Sequence, residues 1–143
     1  MSQTKMFESL GAPLRNVRSS CGSVRESDGA VFLRVWQDSS RKIDGKRYMW
    51  ISDDTPVAED AATRERLEHA RLIQSGRPCY MVMCQAEDTR AEPRKVKTFN
   101  ARELFEGGEV VFTEGAYWLE LAGRVAVKHV TSERKESADS SNA

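Results

Sequence analysis

The residues with chemical potential in this chain are aromatic and basic, and they alternate. Trp36 ends an aliphatic-aromatic run, Val31 to Asp38, and Tyr48 and Trp50 share a face of a second run, with Tyr117 and Trp118 further on. Around them stand Arg15, Arg18, Arg41, Lys42, Lys46, Arg47, Arg94, Lys95 and Lys97. Aromatic platforms of this kind stack nucleic-acid bases at about 1–3 kcal/mol per base, and Lys/Arg contacts to phosphate add salt-dependent affinity. Arg15, Asn16 and Arg18 are placed to line a site with Trp36. Arg41, Lys42, Arg94, Lys95 and Lys97 are placed to hold phosphates, and Tyr48 or Trp50 to stack. The same aromatics could equally fill the core of a small domain, where most aromatics go.

Other chemistries find less support. No P-loop, no Gly-x-Ser-x-Gly elbow and no Gly-x-Gly-x-x-Gly after a strand is present. Asp53-Asp54 and Glu87-Asp88 are acidic pairs in loops, which are more often solvated than metal-bound. Cys21, Cys79 and Cys84 are odd in number and lack framework spacing, so reduced thiols are expected. Cys79 and Cys84 are five residues apart in one strand-like run. An odd offset turns them to opposite faces and prevents them from chelating one metal. No metal or cofactor is expected. His69 reads as a packing residue beside an apolar helical stripe. A nucleotide-processing enzyme built on His69 and nearby acids would have no nucleophile or cofactor motif behind it.

Net charge is zero over 143 residues, yet the charge is blocked. Arg15 to Arg47 carries eight basic and four acidic residues (net +4), and Arg90 to Arg102 carries five and one (net +4). Asp53 to Glu68 holds six acids and two bases (net −4), and Glu103 to Glu120 holds five acids and no base (net −5). Such blocks either segregate into a basic and an acidic face or mix on the surface. No apolar run approaches a membrane span, and Met1 to Lys5 has no apolar h-region. A cytoplasmic protein without membrane contact is expected.

The elements that must position these residues follow from periodicity. Gly22 to Arg25 predicts a short strand. A turn at Ser27-Asp28-Gly29 leads to a half-buried strand over Ala30 to Gln37, then a polar loop from Asp38 to Lys46 and a strand from Arg47 to Ser52. Asp60 or Thr63 caps a long helix carrying Leu67, Ala70, Leu72 and Ile73, stopped at Gly76. Cys79 to Ala86 is apolar enough for a central strand, and Arg94 to Thr98 is a short basic one. Asn100 and Glu103 have capping-box spacing, which predicts a short helix over Ala101 to Phe105. Glu109 to Thr113, Glu114-Gly115 and Tyr117 to Leu121 form a hairpin. Residues 1–13 read as a lead-in anchored by Phe7 and Leu10, and 131–143 as a disordered tail after one domain over 1–130. The sum is an α+β fold. Its mostly antiparallel sheet is strongly bent, in the manner of a PUA-like partial barrel, with one long and one short helix.

Phe7-Glu8-x-Leu10-Gly11-Ala12, Leu14-x-Asn16 and Val31-x-Leu33-x-Val35-Trp36-x-Asp38 carry a resemblance, joined by Arg66-x-x-His69, Pro78-Cys79-Tyr80 and Pro93-Arg94-Lys95-x-Lys97-x-Phe99. Over about residues 6–127 the chain resembles a bacterial domain found alone and next to HNH nuclease modules. The resemblance implies a DNA-reading or modified-base-reading part in restriction-like systems, similar in role to PUA-like, EVE and SRA domains. No HNH histidines or metal ligands are present, so no nuclease activity carries over. The family shows tryptophans where this chain has Ser19 and Cys21, a departure that bears directly on any base pocket. The expected function is therefore non-enzymatic nucleic-acid binding, DNA before RNA. The alternative is a protein-interaction or inhibitory adaptor whose acidic 103–120 hairpin or a sheet edge contacts a partner.

Overall fold

A computed structural model describes residues 2–16, 20–53, 61–91 and 95–130. Among the described residues two α-helices, α1 (Gln3–Ser9) and α2 (Ala61–Gln74), accompany eight strands. These are β1 (Gly22–Val24), β2 (Val31–Trp36), β3 (Ser40–Ile43), β4 (Lys46–Asp53), β5 (Cys79–Ala86), β6 (Val96–Phe99), β7 (Glu103–Thr113) and β8 (Ala116–Ala126). The strands join one mixed sheet in the order β1-β2-β5-β7-β8-β4-β3, with β6 also on β5, and the path does not close. Only β2 and β5 pair in parallel, Val31 opposite Cys79 through Trp36 opposite Cys84, and every other ladder is antiparallel. The fold is α+β and mostly antiparallel. No described helix is long and apolar enough to cross a membrane.

The sheet curls. Only Gln37 to Ser39 separates β2, near one end of the path, from β3 at the other. Three residues reach little beyond 10 Å, so the two ends approach each other. The backbone N–H of Trp50 donates to the Ser39 carbonyl at 2.9 Å, which carries the β3–β4 register one pair beyond Ser40 and Met49.

Strand alternation sorts the side chains into two cores. Val31, Leu33 and Val35 of β2 meet Met49 and Ile51 of β4, Cys79 and Met81 of β5, Leu119 of β8, and Ala70 and Ile73 of α2. On the other side Phe32, Val82, Cys84 and Leu104 cluster with Met6 and Phe7 of α1 and with Leu10, its C-cap, and Trp36 and Tyr80 pack against them. Cys79 and Cys84 thus occupy opposite faces of β5, as their odd spacing requires, and both are free thiols. Burial pushes each thiol up to about 11, so neither is a ready nucleophile.

Three local expectations are corrected. Residues 101–105 do not form a helix. Asn100 Oδ1 accepts from the backbone N–H groups of Arg102 and Glu103, both at 2.9 Å. That Asx geometry resembles an N-cap, but here it feeds β7, because Glu103 to Phe105 pair with Ala126 to Arg124 of β8. The second helix lies instead in the N-terminal lead-in. Ser2 caps α1 by accepting from Lys5 N–H at 3.1 Å, and Met6 and Phe7 are buried. The loop from Asp38 to Lys46 contains β3. Asp44 and Gly45 both take positive φ (51° and 83°), the pattern of a tight hairpin turn, which pairs Ile43 with Lys46.

Candidate functional site

Helix α2 displays Glu65 and His69 four residues apart, hence side by side on one face. Opposite them runs the segment after α1. Gly11, at φ 78°, ends that helix and turns the chain toward α2. Ser23 of β1 fastens the segment by donating its hydroxyl to the Pro13 carbonyl at 2.7 Å. Asn16 and Ser20 then clasp each other. Ser20 N–H donates to the Asn16 carbonyl at 2.9 Å, and Asn16 N–H donates to Ser20 Oγ at 3.0 Å.

Between these walls lies a cleft with two lobes that share Arg15 and Glu65. One lobe, of about 510 Å³, is lined by Asn16, Ser20, Arg64 and Glu68 besides the shared pair. The other, of about 530 Å³, is lined by Leu14, Val24, Glu26, Ser27 and His69 among others. Each falls in the usual size range of small-ligand sites, about 300–1,000 Å³. Arg15 Nε lies 3.9 Å from Glu65 Oε2, and the two side chains are 77% and 10% exposed. A pair so loose and open contributes at most about 1 kcal/mol, so Arg15 can swing to a ligand at little cost.

His69 is 3% exposed, and its Nδ1 is buried without a hydrogen-bond partner among the described residues. Burial lowers its pKa below the ordinary value; Glu65 and Glu68 oppose that shift and Arg15 reinforces it. The imidazole is therefore neutral at neutral pH, able to donate or accept at Nδ1.

Elsewhere on α2, Arg66 links Cys21 to Trp50. Its Nη1 donates to Cys21 Sγ at 3.2 Å and its Nη2 to Thr63 Oγ1 at 3.2 Å, while Cζ lies 5.8 Å from the Trp50 ring centroid. Arg66 Nε is buried with no partner among the described residues. Trp50 Nε1 donates outward to Asp53 Oδ1 at 2.9 Å.

Of the residues singled out from sequence, Arg15 and Asn16 come together here, while Trp50 meets Arg66 and Asp53 and lines neither lobe. Trp36 packs on the α1 side of the sheet, and Tyr48 is buried. Arg41 stands over the Trp118 ring at 4.7 Å and pairs with Glu114 at 2.7 Å. Lys46 pairs with Glu120 at 3.7 Å, and Arg47 donates to Ser40 Oγ. Lys42, Lys95 and Lys97 are exposed, with Lys97 beside Asp38 and Glu87 at a separate cavity. Arg18 and Arg94 lie outside the described residues. Where β4 pairs with β8, the first basic block meets the last acidic block, and the two mix. Sequence reasoning gave Glu65 and Ser20 no place in the site, named Arg66 only within the Arg66-x-x-His69 resemblance, and named Cys21 as a thiol and as a departure from the resembled family. The i,i+4 spacing of Glu65 and His69 beside the apolar stripe was the available signal. No group of three or more His, Cys, Asp or Glu side chains among the described residues is disposed to hold a metal ion.

No protein family, curated protein or solved structure matches this chain. The cleft is left to speak through its own chemistry. It offers donors at Arg15, Asn16 and Arg64, acceptors at Glu65 and Glu68, and apolar walls at Leu14 and Val24. Two carboxylates repel a ligand that is all phosphate. They accept hydrogen bonds from a ligand carrying N–H groups.

Proposed function

We propose that the protein binds single-stranded or locally opened nucleic acid, DNA before RNA, with a base in the α2 cleft and the backbone along its basic rim. The observation that carries this reading is the convergence of Arg15, Asn16 and Arg64 on one cleft of nucleotide size. Arg15 holds a phosphate and Asn16 reads a base edge, and the half-buried Trp50 of β4 serves as the stacking face. Arg18, adjoining the same segment in sequence, is a further candidate phosphate contact; the exposed Lys42, Lys95 and Lys97 stand away from the cleft lining. Glu65 and Glu68 make the cleft selective for base edges over bare phosphate, in keeping with a protein of zero net charge. The reading takes over the PUA-like architecture and base-reading role that the resemblance implies, in a restriction or defence setting and without catalysis. Where the resembled family carries tryptophan, this chain has Cys21, whose sulfur accepts from the Arg66 guanidinium.

Fluorescence anisotropy with a labelled single strand at two salt concentrations tests the reading. Affinity falls with salt, and Arg15→Ala weakens binding roughly tenfold, about 1.4 kcal/mol. It also flattens the log–log salt slope by about 0.7, the loss of one phosphate contact. Equal affinity and slope for wild type and variant would remove Arg15 from the interface.

A second reading rests on Phe112, which is 50% exposed at the β7–β8 hairpin with its ring 4.9 Å from Tyr117. An apolar ring on an otherwise acidic hairpin suits a protein partner, as in an adaptor. A partner retained after nuclease treatment and lost in Phe112→Ser would favour it.

A further inference from the structure

The corner where β3, β4 and β8 meet carries a guanidinium held by a ring and answered by a carboxylate. β4 turns Met49 into the core and its neighbours Tyr48 and Trp50 to the opposite face. Register adds Arg41 of β3, opposite Tyr48, and Trp118 of β8, opposite Trp50, because directly opposed residues share a face. On that face Arg41 Cζ lies 4.7 Å from the Trp118 ring centroid, an attraction that places the guanidinium without using its N–H donors. Arg41 Nη1 reaches Glu114 Oε2 at 2.7 Å, and the two side chains are 41% and 71% exposed. Glu114 takes φ 52° in the Glu114-Gly115 turn, a conformation that Gly, Asn or Asp fills more readily. Turn chemistry alone does not call for a glutamate there; the ion pair gives it a role.

Resting on the nucleic-acid reading above, we infer that Arg41 is a second phosphate site, for the backbone of a single strand that leaves the α2 cleft across Trp50, and that Glu114 occupies it in the unbound protein. Trp50 connects the two places. Its ring centroid is 5.8 Å from Arg66 Cζ on α2, and its strand position lies opposite Trp118. A phosphodiester oxygen takes the place of Glu114 Oε2 on the guanidinium, whose planar fork suits phosphate as well as carboxylate. An ion pair this exposed is weak, so the exchange of one anion for another costs little, at a position that solvent already reaches. Glu120, on the same face, does not compete for Arg41. It pairs with Lys46 at 3.7 Å and accepts from Glu109 N–H at 3.1 Å. Glu114 thus sets a threshold. A free anion must outcompete a tethered carboxylate, whereas a strand already anchored at Arg15 arrives at high local concentration. No covalent bond is made or broken.

Fluorescence anisotropy of the full chain with a labelled oligothymidylate, over a series of salt concentrations, tests this through a double-mutant cycle. Glu114→Gln is expected to tighten binding about threefold, the scale of one exposed ion pair. Arg41→Gln is expected to weaken it about fivefold and to flatten the log–log salt slope by about 0.7. In the Arg41→Gln background Glu114→Gln is expected to change nothing, because the carboxylate acts through that guanidinium. A gain that persists in that background would reduce Glu114 to a general charge effect, and equal affinity for wild type and Arg41→Gln would remove the phosphate site. Either result overturns the inference, and Arg15→Ala measured beside them shows whether the cleft reading still stands. No strand bound by wild type at low salt would overturn both.

Discussion

Replacing Arg25 with Ala is expected to destabilise the protein by about 3 kcal/mol, enough to lower Tm by roughly 10 °C. Arg25 is 6% exposed and follows β1 directly. Its Nη1 donates to the carbonyls of Leu10 and Val130, while Nε and Nη2 grip Asp28 at 3.0 and 2.8 Å. The guanidinium also stands 5.1 Å over the Phe32 ring. One side chain thus joins the end of α1, the turn before β2 and the residue after the 3-10 turn Val127–His129. Truncation removes the fork and leaves buried carbonyls without donors, and that orphaning sets the magnitude. Arg25→Lys keeps the charge but not the bidentate grip, so it recovers only part of the loss. Thermal melts of the three proteins check this, and a loss below about 1 kcal/mol for the Ala variant would show that the fork is not holding these segments together.

Acid should destabilise the fold through His69 before the carboxylates titrate. Burial holds its pKa below the ordinary 6.5. In the window between the folded value and 6.5 the unfolded chain binds more protons than the native one. Stability therefore rises with pH across that window and is lost as pH falls through it. The full slope for one such group is about 1.4 kcal/mol per pH unit. Melts from pH 7.5 down to 5.5 should show this decline in wild type and a flatter line in His69→Gln. The readout is the slope, so a uniform offset of the variant leaves the comparison intact. Parallel lines would mean that His69 takes up a proton in place.

Strong local patterns predicted β2, β5, α2 and the β7–β8 hairpin, because each carries its own hydrophobic period and its own turn residues. Helix α1 escaped that reading. At seven residues its apolar positions, Met6, Phe7 and Leu10, look like isolated anchors until the sheet supplies something to bury them against. The start of β7 was misread for a related reason. Asn100 makes the same short-range bonds before a helix or a strand, and β8 decides between them from twenty residues away. Within the site, residue type alone drew attention to Arg15 and Asn16. The neutralisation of Arg41 and Lys46 could not be anticipated, since it depends on the β4–β8 register. Likewise, the spacing of Glu65 and His69 showed that they share a face, but only the packing of α2 against β1 and the post-α1 segment turns that face into the wall of a cleft.

The most direct check on the central claim is an amide NMR titration of the isotopically labelled protein with a single-stranded oligonucleotide. The account predicts saturable shifts concentrated at Arg15, Asn16, Ser20, Cys21, Glu65 and His69, around the cleft between α2 and the segment after α1. Shifts confined to the β3–β4 hairpin, or none at low salt, would contradict it.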